Sequence, residues 1–333
     1  MNRPRVMPED YVQVLIASPR VVSSTEAARV QPHRSKAPAH DAFTRLLHRL
    51  EPDPETLWAE VRDLVQRDTG VLIIDDTTLD KRRARHIELV TQHWSGTHHR
   101  VVRGINLISL VWTDGDTVQP CDYRIYHKTS DGRGKNDHFA AMLDQAAARG
   151  FRPKCVLFDG WYASLDNLKQ VRRLGWTFLT RFASNRKVRI NHGDTRSVAD
   201  QPIAAMGTVV WLRGFGEVRV FRVVAPDGNT QHWATNDLGM ENTTRLILAE
   251  LSWSIEEYHR GLKQFTGIER CQVRAERGQR NHICLAIRAF VRLEYQHFHS
   301  GVSWFQAKFE IIRDAVRAYL TCPLYILPNT VTA

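Results

Sequence analysis

The order of strand-like and helix-like segments constrains the fold of this 333-residue chain more than any single motif. Residue patterning predicts three strands, a helix, a strand, a helix, a strand, a β-rich insert and then helices. No internal repeat or low-complexity segment interrupts this order. In chain order the segments cover residues 71–78, 100–128, 137–150, 155–158, 164–175, 176–182 and 184–237, after which the chain is helical to about Leu320.

This order is similar to that of an RNase H-like domain that is interrupted before its last helix. We therefore expect an α/β fold with an RNase H-like mixed-sheet core, a β-rich insertion before the last catalytic helix, and helical N- and C-terminal segments. The three short helices expected in residues 1–68 fit a small DNA-binding bundle and an ordinary helical cap equally well. The predicted boundaries are 1–68 for the N-terminal segment, 69–183 for the first part of the core, 184–238 for the insertion and 239–333 for the remainder.

Charge and cysteine content narrow the class of protein. The formal net charge of +10 and the sequence pI of about 9.6 favour a polyanionic partner, and nucleic acid is the commonest one. The five cysteines are scattered and odd in number, which favours reduced thiols in a cytosolic compartment over a disulfide framework or a structural zinc site. No signal peptide and no transmembrane run of about 18 apolar residues is expected.

Acidic residues follow two of the apolar strand-like runs. Asp75 and Asp76 follow VLII, and Asp159 follows CVLF. Catalytic carboxylates are often found where a rigid strand opens to solvent, although a single such aspartate is more often a turn or a helix cap. Two of them after the first and fourth strands of this order favour a site. Because adjacent strand residues point to opposite faces, only one of Asp75 and Asp76 can face it.

The helix WSIEEYHRGLKQ, residues 253–264, concentrates charge on one face. Glu256, then His259 or Arg260, and Lys263 are spaced so that they share that face. An ion pair between Glu256 and Arg260 would stabilise the helix by only a few tenths of a kcal/mol. That pair alone accounts for a solvated helix, so the helix by itself does not decide between a surface and a site.

Taken together, IIDDTT, VLFDGWYAS and WSIEEYHRGLK resemble motifs of the DDE transposases of bacterial insertion sequences. The likeness is greatest to the cut-and-paste group with a β-strand insertion, and it spans roughly residues 65–295. In that family the first acid directly precedes a threonine, as Asp76 does here. The resemblance therefore implies that Asp76, Asp159 and Glu256 are the catalytic and metal-binding residues.

The same group carries the helix signature Tyr-x2-Arg-x3-Glu-x6-Lys. Glu256 and Lys263 match its last two positions. Ala249 and Ser252 stand at the positions of the tyrosine and the arginine, which in the family contact DNA phosphates near the cut. The resemblance implies that this chain makes those contacts with other residues.

The resemblance also implies DNA contacts outside the triad. Trp233 stands where hairpin-forming members carry a tryptophan that stacks on a flipped base, a contact of about 1–3 kcal/mol per base. A buried tryptophan in the β-domain is an equal alternative, and Trp211 is the competing candidate. Basic runs usually form solvated faces, but next to the acidic motifs they favour a DNA channel. The implied DNA-binding cations are His259, Arg260, Lys263, Lys81, Arg82, Arg186 and Lys187.

The expected chemistry is phosphoryl transfer on DNA. Three carboxylates can hold two Mg²⁺ ions, with Mn²⁺ as a substitute, for hydrolysis at the element's end and attack by the freed 3′-hydroxyl. The implied partners are terminal inverted repeats and target DNA, bound by a homodimer in the cytoplasm of a bacterium, where DNA binding associates it with the nucleoid. An RNase H-like nuclease without strand transfer, and a catalytically decayed DNA-binding protein, remain alternatives.

Overall fold

The computed structural model describes residues 4–20, 23–32, 37–95, 100–191, 193–225 and 227–325. The chain divides into a sheet unit, Pro52–Arg260, and a helical unit, Met1–Glu51 with Gly261–Ala333. Residues 52–68 thus belong with the sheet, and the predicted insertion is not a unit of its own. Parts of the predicted terminal segments, at residues 1–3, 21–22, 33–36 and 326–333, lie outside the described residues.

The sheet unit is built on one nine-stranded mixed sheet and a separate two-stranded ribbon. The ribbon pairs β7 with β8, and every other strand belongs to the large sheet. The strands are β1 (Val71–Asp80), β2 (Thr91–Ser95), β3 (Arg100–Thr113), β4 (Val118–Tyr126), β5 (Cys155–Phe158), β6 (Phe178–Phe182), β7 (Lys187–Val188), β8 (Arg196–Ser197), β9 (Thr208–Leu212), β10 (Gly216–Val224) and β11 (Thr230–Thr235).

The centre of the large sheet has the strand order β4-β3-β1-β5-β6. β1 is antiparallel to β3 and parallel to β5, and β5 is parallel to β6. This arrangement confirms the predicted RNase H-like mixed-sheet core. The insertion strands add to the same sheet, because β11 pairs with β6 and is followed by β10 and β9. The β-rich insertion therefore extends the core sheet beside the strands that carry the candidate site.

Helices flank the sheet and build the second unit. Residues of the last sheet-unit helix beyond Arg260 belong to the helical unit. The sheet unit contains α4 (Pro54–Val61), α5 (Lys128–Asp131), α6 (Lys135–Ala148), the 3₁₀ turn η1 (Gly160–Tyr162), α7 (Leu165–Arg173), η2 (Val198–Asp200), α8 (Asn242–Leu251) and α9 (Ser254–Phe265). The helical unit contains α1 (Pro8–Ala17), α2 (Ser24–Arg29), α3 (His40–Arg49), α10 (Glu276–Ser300) and α11 (Trp304–Thr321).

The packing of β1 fixes which way its side chains point. Leu72 and Ile74 lie in the core cluster that also contains Phe139 and Met142 of α6. Burying each of these side chains contributes about 1.5–3 kcal/mol relative to exposure. Because strand side chains alternate, Asp76 continues the face that packs on α6, and Asp75 continues the opposite face.

The helical unit has its own core. α10 packs against α1 and α3, and its middle is buried from Asn281 to Phe290. Lys308 of α11 is also buried, and its Nζ donates to the carbonyl oxygens of Leu15 at 3.3 Å and Phe265 at 2.5 Å. Burial lowers the pKa of Lys308 to about 8. No helix within the described part of the chain combines the length and the apolar character needed to span a bilayer.

Candidate active site

The candidate site lies where the parallel pairing of β1 with β5 ends. Ile74 and Phe158 are the last paired residues, so Asp75 and Asp159 come directly after them on neighbouring strands. β1 itself continues along β3 as far as Asp80. The sequence predicts that the two aspartates lie at the end of the strand. In the structure both lie inside β1. The site forms because β5 stops there while β1 does not.

A pocket opens at this point in the sheet unit. Three carboxylates line it: Asp75 from β1, Asp159 from the end of β5 and Glu256 from the first turns of α9. The rest of the lining combines apolar side chains with one basic side chain. These other lining residues are Ile73, Ile74, Phe158, Arg181, Trp233, Ala249, Ser252, Trp253 and Ile255.

The environment of Asp75 disfavours the ionised form of its carboxyl group. Burial raises the pKa of Asp75 well above its ordinary value, and the adjacent charge of Asp76 raises it further. Glu256 and Asp159 add smaller contributions of the same sign. An excess of negative charge in a partly desolvated pocket is the condition that a bound cation relieves.

Asp76 has a different environment. Its carboxylate accepts hydrogen bonds from Lys135 Nζ at 2.7 Å, Asn106 Nδ2 at 2.6 Å and the Tyr162 hydroxyl at 2.8 Å. Burial opposes its ionisation, but the charge of Lys135 and these hydrogen bonds lower the pKa of Asp76 overall. Asp76 thus ties β1 to α6 and η1, and it does not line the pocket. The sequence prediction placed Asp76 in the site; the structure places Asp75 there, because the Leu72 face of β1 is covered by α6.

Asp159 caps the short turn that follows β5. Its Oδ1 accepts from the Gly160 backbone N–H at 2.7 Å and from Arg181 Nη2 at 2.9 Å. Arg181 lies on β6, and its guanidinium stands 5.7 Å from the ring centroid of Trp233. Both members of the ion pair are almost half exposed, at 45% for Arg181 and 46% for Asp159, so the pair contributes no more than about 1 kcal/mol to stability.

The turn after Asp159 requires a glycine. A Cβ at Gly160 would lie 2.6 Å from the backbone carbonyl oxygen of Arg181. We expect Gly160→Ala to lower the free energy of unfolding by about 1–3 kcal/mol, because the turn has to move away from β6. Chemical denaturation measures this change. Gly239→Ala is the matched control, since its Cβ would meet no atom closer than 3.5 Å; equal stability of the two variants would contradict the expectation.

α9 separates its two adjacent glutamates. Glu256 is exposed in the pocket, while Glu257 forms an ion pair with Arg260 at 3.1 Å. The i,i+4 pair between Glu256 and Arg260 that sequence spacing allows is therefore replaced by an i,i+3 pair. Tyr258 is buried, which anchors the helix and leaves Glu256 facing the carboxylates of the sheet.

Several predicted DNA contacts are not accessible. Lys81 is 5% exposed and His259 is 4% exposed, so neither side chain can reach a phosphate in this conformation. Arg186 is half-buried, donates to the Ala163 carbonyl oxygen at 3.2 Å, and has its pKa lowered by burial. Lys263 belongs to the helical unit, where it lies 4.0 Å from Glu269.

The remaining predicted contacts are accessible or partly so. Arg82 is exposed beside Asp80, and Lys187 is exposed with its Nζ 3.0 Å from the Ser197 hydroxyl. Arg260 is exposed next to Glu257. Trp233 is half-buried and lines the pocket, whereas Trp211 is 45% exposed and does not line it. Of the two tryptophans considered from the sequence, only Trp233 is therefore placed beside the carboxylates.

The sequence matches the family described as "DDE superfamily endonuclease" over residues 5–202, more than half of the chain. The chain belongs to this family. The matched region includes β1 and β5 and ends before Glu256. No curated protein sequence matches the chain.

Three solved structures to which this DDE endonuclease is similar are transposase complexes. The cryo-EM structure of a piggyBac transposase synaptic complex with hairpin DNA has a TM-score of 0.51 and 11% identity, covering 100% of this chain and 79% of that one. At this identity the likeness shows a shared fold. The Drosophila P element strand transfer complex matches with a TM-score of 0.30, 12% identity and coverages of 59% and 48%. The Mos1 strand transfer complex matches with a TM-score of 0.21 and 12% identity, covering 93% of this chain and 80% of that one.

DDE endonucleases depend on a divalent metal ion, and the pocket offers suitable donors. Asp75, Asp159 and Glu256 supply only carboxylate oxygens, which Mg²⁺ prefers. Within the described ranges, no three His, Cys, Asp or Glu side chains already stand close enough to bind one ion together. The Oδ1 atom of Asp159 accepts a hydrogen bond from Arg181, so an ion that binds this oxygen would compete with the guanidinium.

Sequence reasoning did not single out two residues of this DDE endonuclease that line the pocket. Arg181 is the one exposed side chain in the otherwise buried strand FLTRF, and a charge inside an apolar strand was a usable signal. Trp253, which directly precedes α9, is 61% exposed and lines the pocket, a placement that the sequence alone does not show.

Proposed function

We propose that this DDE endonuclease is a transposase that binds the ends of an insertion sequence and catalyses metal-dependent DNA cleavage and strand transfer. The observation that carries the proposal is the pocket that gathers Asp75, Asp159 and Glu256 from three separate elements. Asp75 replaces Asp76 as the first acid, because Asp76 is committed to Lys135, Asn106 and Tyr162.

The three carboxylates would hold two Mg²⁺ ions, for which Mn²⁺ substitutes. Such ions, when bound, activate an attacking oxygen and stabilise the leaving oxygen of an in-line displacement at phosphorus. The raised pKa of Asp75 marks the place where that positive charge is needed most. β1 and β5 hold Asp75 and Asp159 on the rigid sheet, and α9 brings Glu256 to them, so the protein's part is positioning.

The DNA would lie along exposed basic residues of the sheet unit. Arg82, Lys187 and Arg260 are exposed cations of the sheet unit and would contact phosphates, which position DNA without reading its sequence. Trp233 would stack on a base beside the cut. Recognition of the terminal inverted repeats belongs to the N-terminal helical segment, residues 1–68. Pairing two DNA ends calls for a homodimer on the DNA, acting in the cytoplasm.

The test is an assay on DNA that carries the element's terminal repeats, with Mg²⁺ or Mn²⁺. Products in which the freed 3′ end is joined to a second DNA strand are expected. Cleavage without joined products would instead support an RNase H-like nuclease. Binding without cleavage in either metal would support a decayed DNA-binding protein.

DNA binding by this chain is expected to weaken steeply with salt. A protein that neutralises Z phosphates loses affinity with a log–log slope of about −0.9Z. With the three phosphate contacts named above, the affinity would fall by roughly 40-fold between 50 and 200 mM salt. Fluorescence anisotropy with a labelled duplex, in Ca²⁺ to prevent turnover, measures the slope. A slope near zero would contradict the proposed DNA channel.

A further inference from the structure

We propose that Arg181 positions the reacting phosphate and that, before metal binds, it occupies the carboxylate of Asp159 in competition with the cation. This inference rests on the proposed function, because it assigns a role inside the same pocket. Arg181 lies outside the motifs that the sequence offers, and its ion pair with Asp159 becomes part of the working cycle.

Arg181 is the only basic residue among the described residues that line the pocket. Its Nη2 lies 2.9 Å from Asp159 Oδ1, so the guanidinium forms an ion pair with one of the three acids. The pair is almost half exposed, and exposed ion pairs of this kind open readily. A divalent cation carries more charge and binds oxygen directly, so it displaces the guanidinium from Asp159.

The displaced guanidinium remains beside the pocket. Arg181 is fixed in β6, where it pairs across the ladder with Trp233 of β11. Its guanidinium already lies near that ring, 5.7 Å from the centroid. The close approach of Gly160 to its backbone carbonyl holds the strand against the turn that carries Asp159. Only the side chain needs to move, by rotation about its own bonds.

The wall formed by α8 supplies no charge of its own. Ala249 and Ser252 line the pocket there, and the Ser252 hydroxyl donates to the Ala249 carbonyl oxygen at 2.6 Å. Small uncharged residues leave space for a phosphate but cannot neutralise it. The proposed metal ions would offset the three carboxylates, and a guanidinium beside them can bind and orient the phosphate through two parallel hydrogen bonds. Arg181 is the pocket residue that can do this.

The decisive measurement pairs metal affinity with cleavage. For Arg181→Ala without DNA, we expect Mn²⁺, followed by its electron paramagnetic resonance signal, to bind about 3- to 10-fold more tightly, because no guanidinium competes for Asp159. With saturating Mn²⁺ and terminal-repeat DNA, cleavage by the same variant should fall about 100-fold. Arg222→Ala, an exposed arginine of β10 outside the pocket, is the control and should change neither quantity appreciably.

Two further variants separate positioning from folding. Arg181→Lys keeps a charge near Asp159 but loses the paired hydrogen bonds, so its Mn²⁺ affinity should stay within about 2-fold of wild type while cleavage falls about 10-fold. Arg181→Ala with Ser252→Arg returns a guanidinium to the pocket from the α8 wall, and cleavage should recover at least about 10-fold. A merely structural role would not be rescued from a different element.

The outcomes are distinguishable. Unchanged or weaker Mn²⁺ binding in Arg181→Ala would overturn the competition, and unchanged cleavage would overturn the phosphate role. If both happen while the wild-type protein cleaves and joins DNA, the proposed function stands and only the role of Arg181 falls. If the folded wild-type protein neither binds Mn²⁺ nor cleaves, the proposed function fails and this inference fails with it.

Discussion

Replacing Asp75 with asparagine is expected to reduce DNA cleavage by about 10³-fold or more while the protein stays folded. Asparagine has nearly the same shape but no charge, so the site loses a metal ligand whose contribution is several kcal/mol, and each 1.36 kcal/mol is tenfold in rate. The fold should tolerate the change, because burial and neighbouring acids raise the pKa of Asp75 and make its charge costly in metal-free protein. Single-turnover cleavage and thermal unfolding in chelator measure the two effects.

Asp76→Asn is the matched control, one residue further along the strand. Here the loss should appear mainly in stability, because Lys135, only 18% exposed, would be left without its carboxylate. Removing one partner of a buried pair costs about 3–5 kcal/mol, and partial exposure reduces this to roughly 2–3. The pKa of Asp76 is lowered by folding, so its contribution is present above the ordinary value of 3.8 and is lost as the pH falls below it.

The stability difference between wild type and Asp76→Asn should accordingly shrink in acid. One result would reverse the assignment. If Asp76→Asn loses cleavage with unchanged stability and Asp75→Asn cleaves normally, then the first metal ligand is Asp76, as the threonine that follows it had suggested.

The strands of the core sheet can be predicted from the sequence because each of them is marked by a local pattern of apolar residues. The apolar run of β1, the β-rich runs of β3 and β4, and the strand–helix alternation through β6 each follow from the spacing of apolar residues. The alternation of basic and apolar residues in the insertion also predicts its β-rich character. Its attachment to β6 is not predicted, because pairing between β11 and β6 depends on residues about 50 positions apart and leaves no local trace.

Local sequence patterns do not decide which of Asp75 and Asp76 faces the pocket. Alternation established that the two point to opposite faces, but Val71, Leu72, Ile73 and Ile74 are all buried, so neither face of β1 is marked as polar. Only the placement of α6 over one of them decides which aspartate faces the pocket.

The sequence also does not predict that Lys81 and His259 are buried. Lys81 lies in a basic run that resembles a solvated face, and His259 shares a helix face with Glu256 by spacing alone. Both side chains are buried in the structure, although lysine is rarely buried. The division into two units is not predicted either, since α10 packs on α1 and α3, more than 200 residues earlier. Such packing follows from tertiary contacts and not from any boundary signal in the chain.

The two glutamates of α9 offer the second test with a large expected effect. Glu256→Gln should reduce cleavage by about 10³-fold, because it removes the charge of the only α9 carboxylate that lines the pocket. Mn²⁺ affinity should fall with it, while thermal stability in metal-free buffer should change little, because the Glu256 side chain is exposed. Single-turnover cleavage, metal titration and thermal unfolding of the same preparation give all three quantities.

Glu257→Gln provides the comparison from the adjacent position. It breaks the exposed pair with Arg260, which contributes only a few tenths of a kcal/mol, so cleavage should remain within about 3-fold of wild type. A helix advances 100° per residue, so the two variants probe faces that cannot both point at the sheet. Equal losses in both would mean that the charge of α9 as a whole attracts the cation. A loss confined to Glu257→Gln would place the third ligand on the other face and would require α9 to rotate when DNA binds.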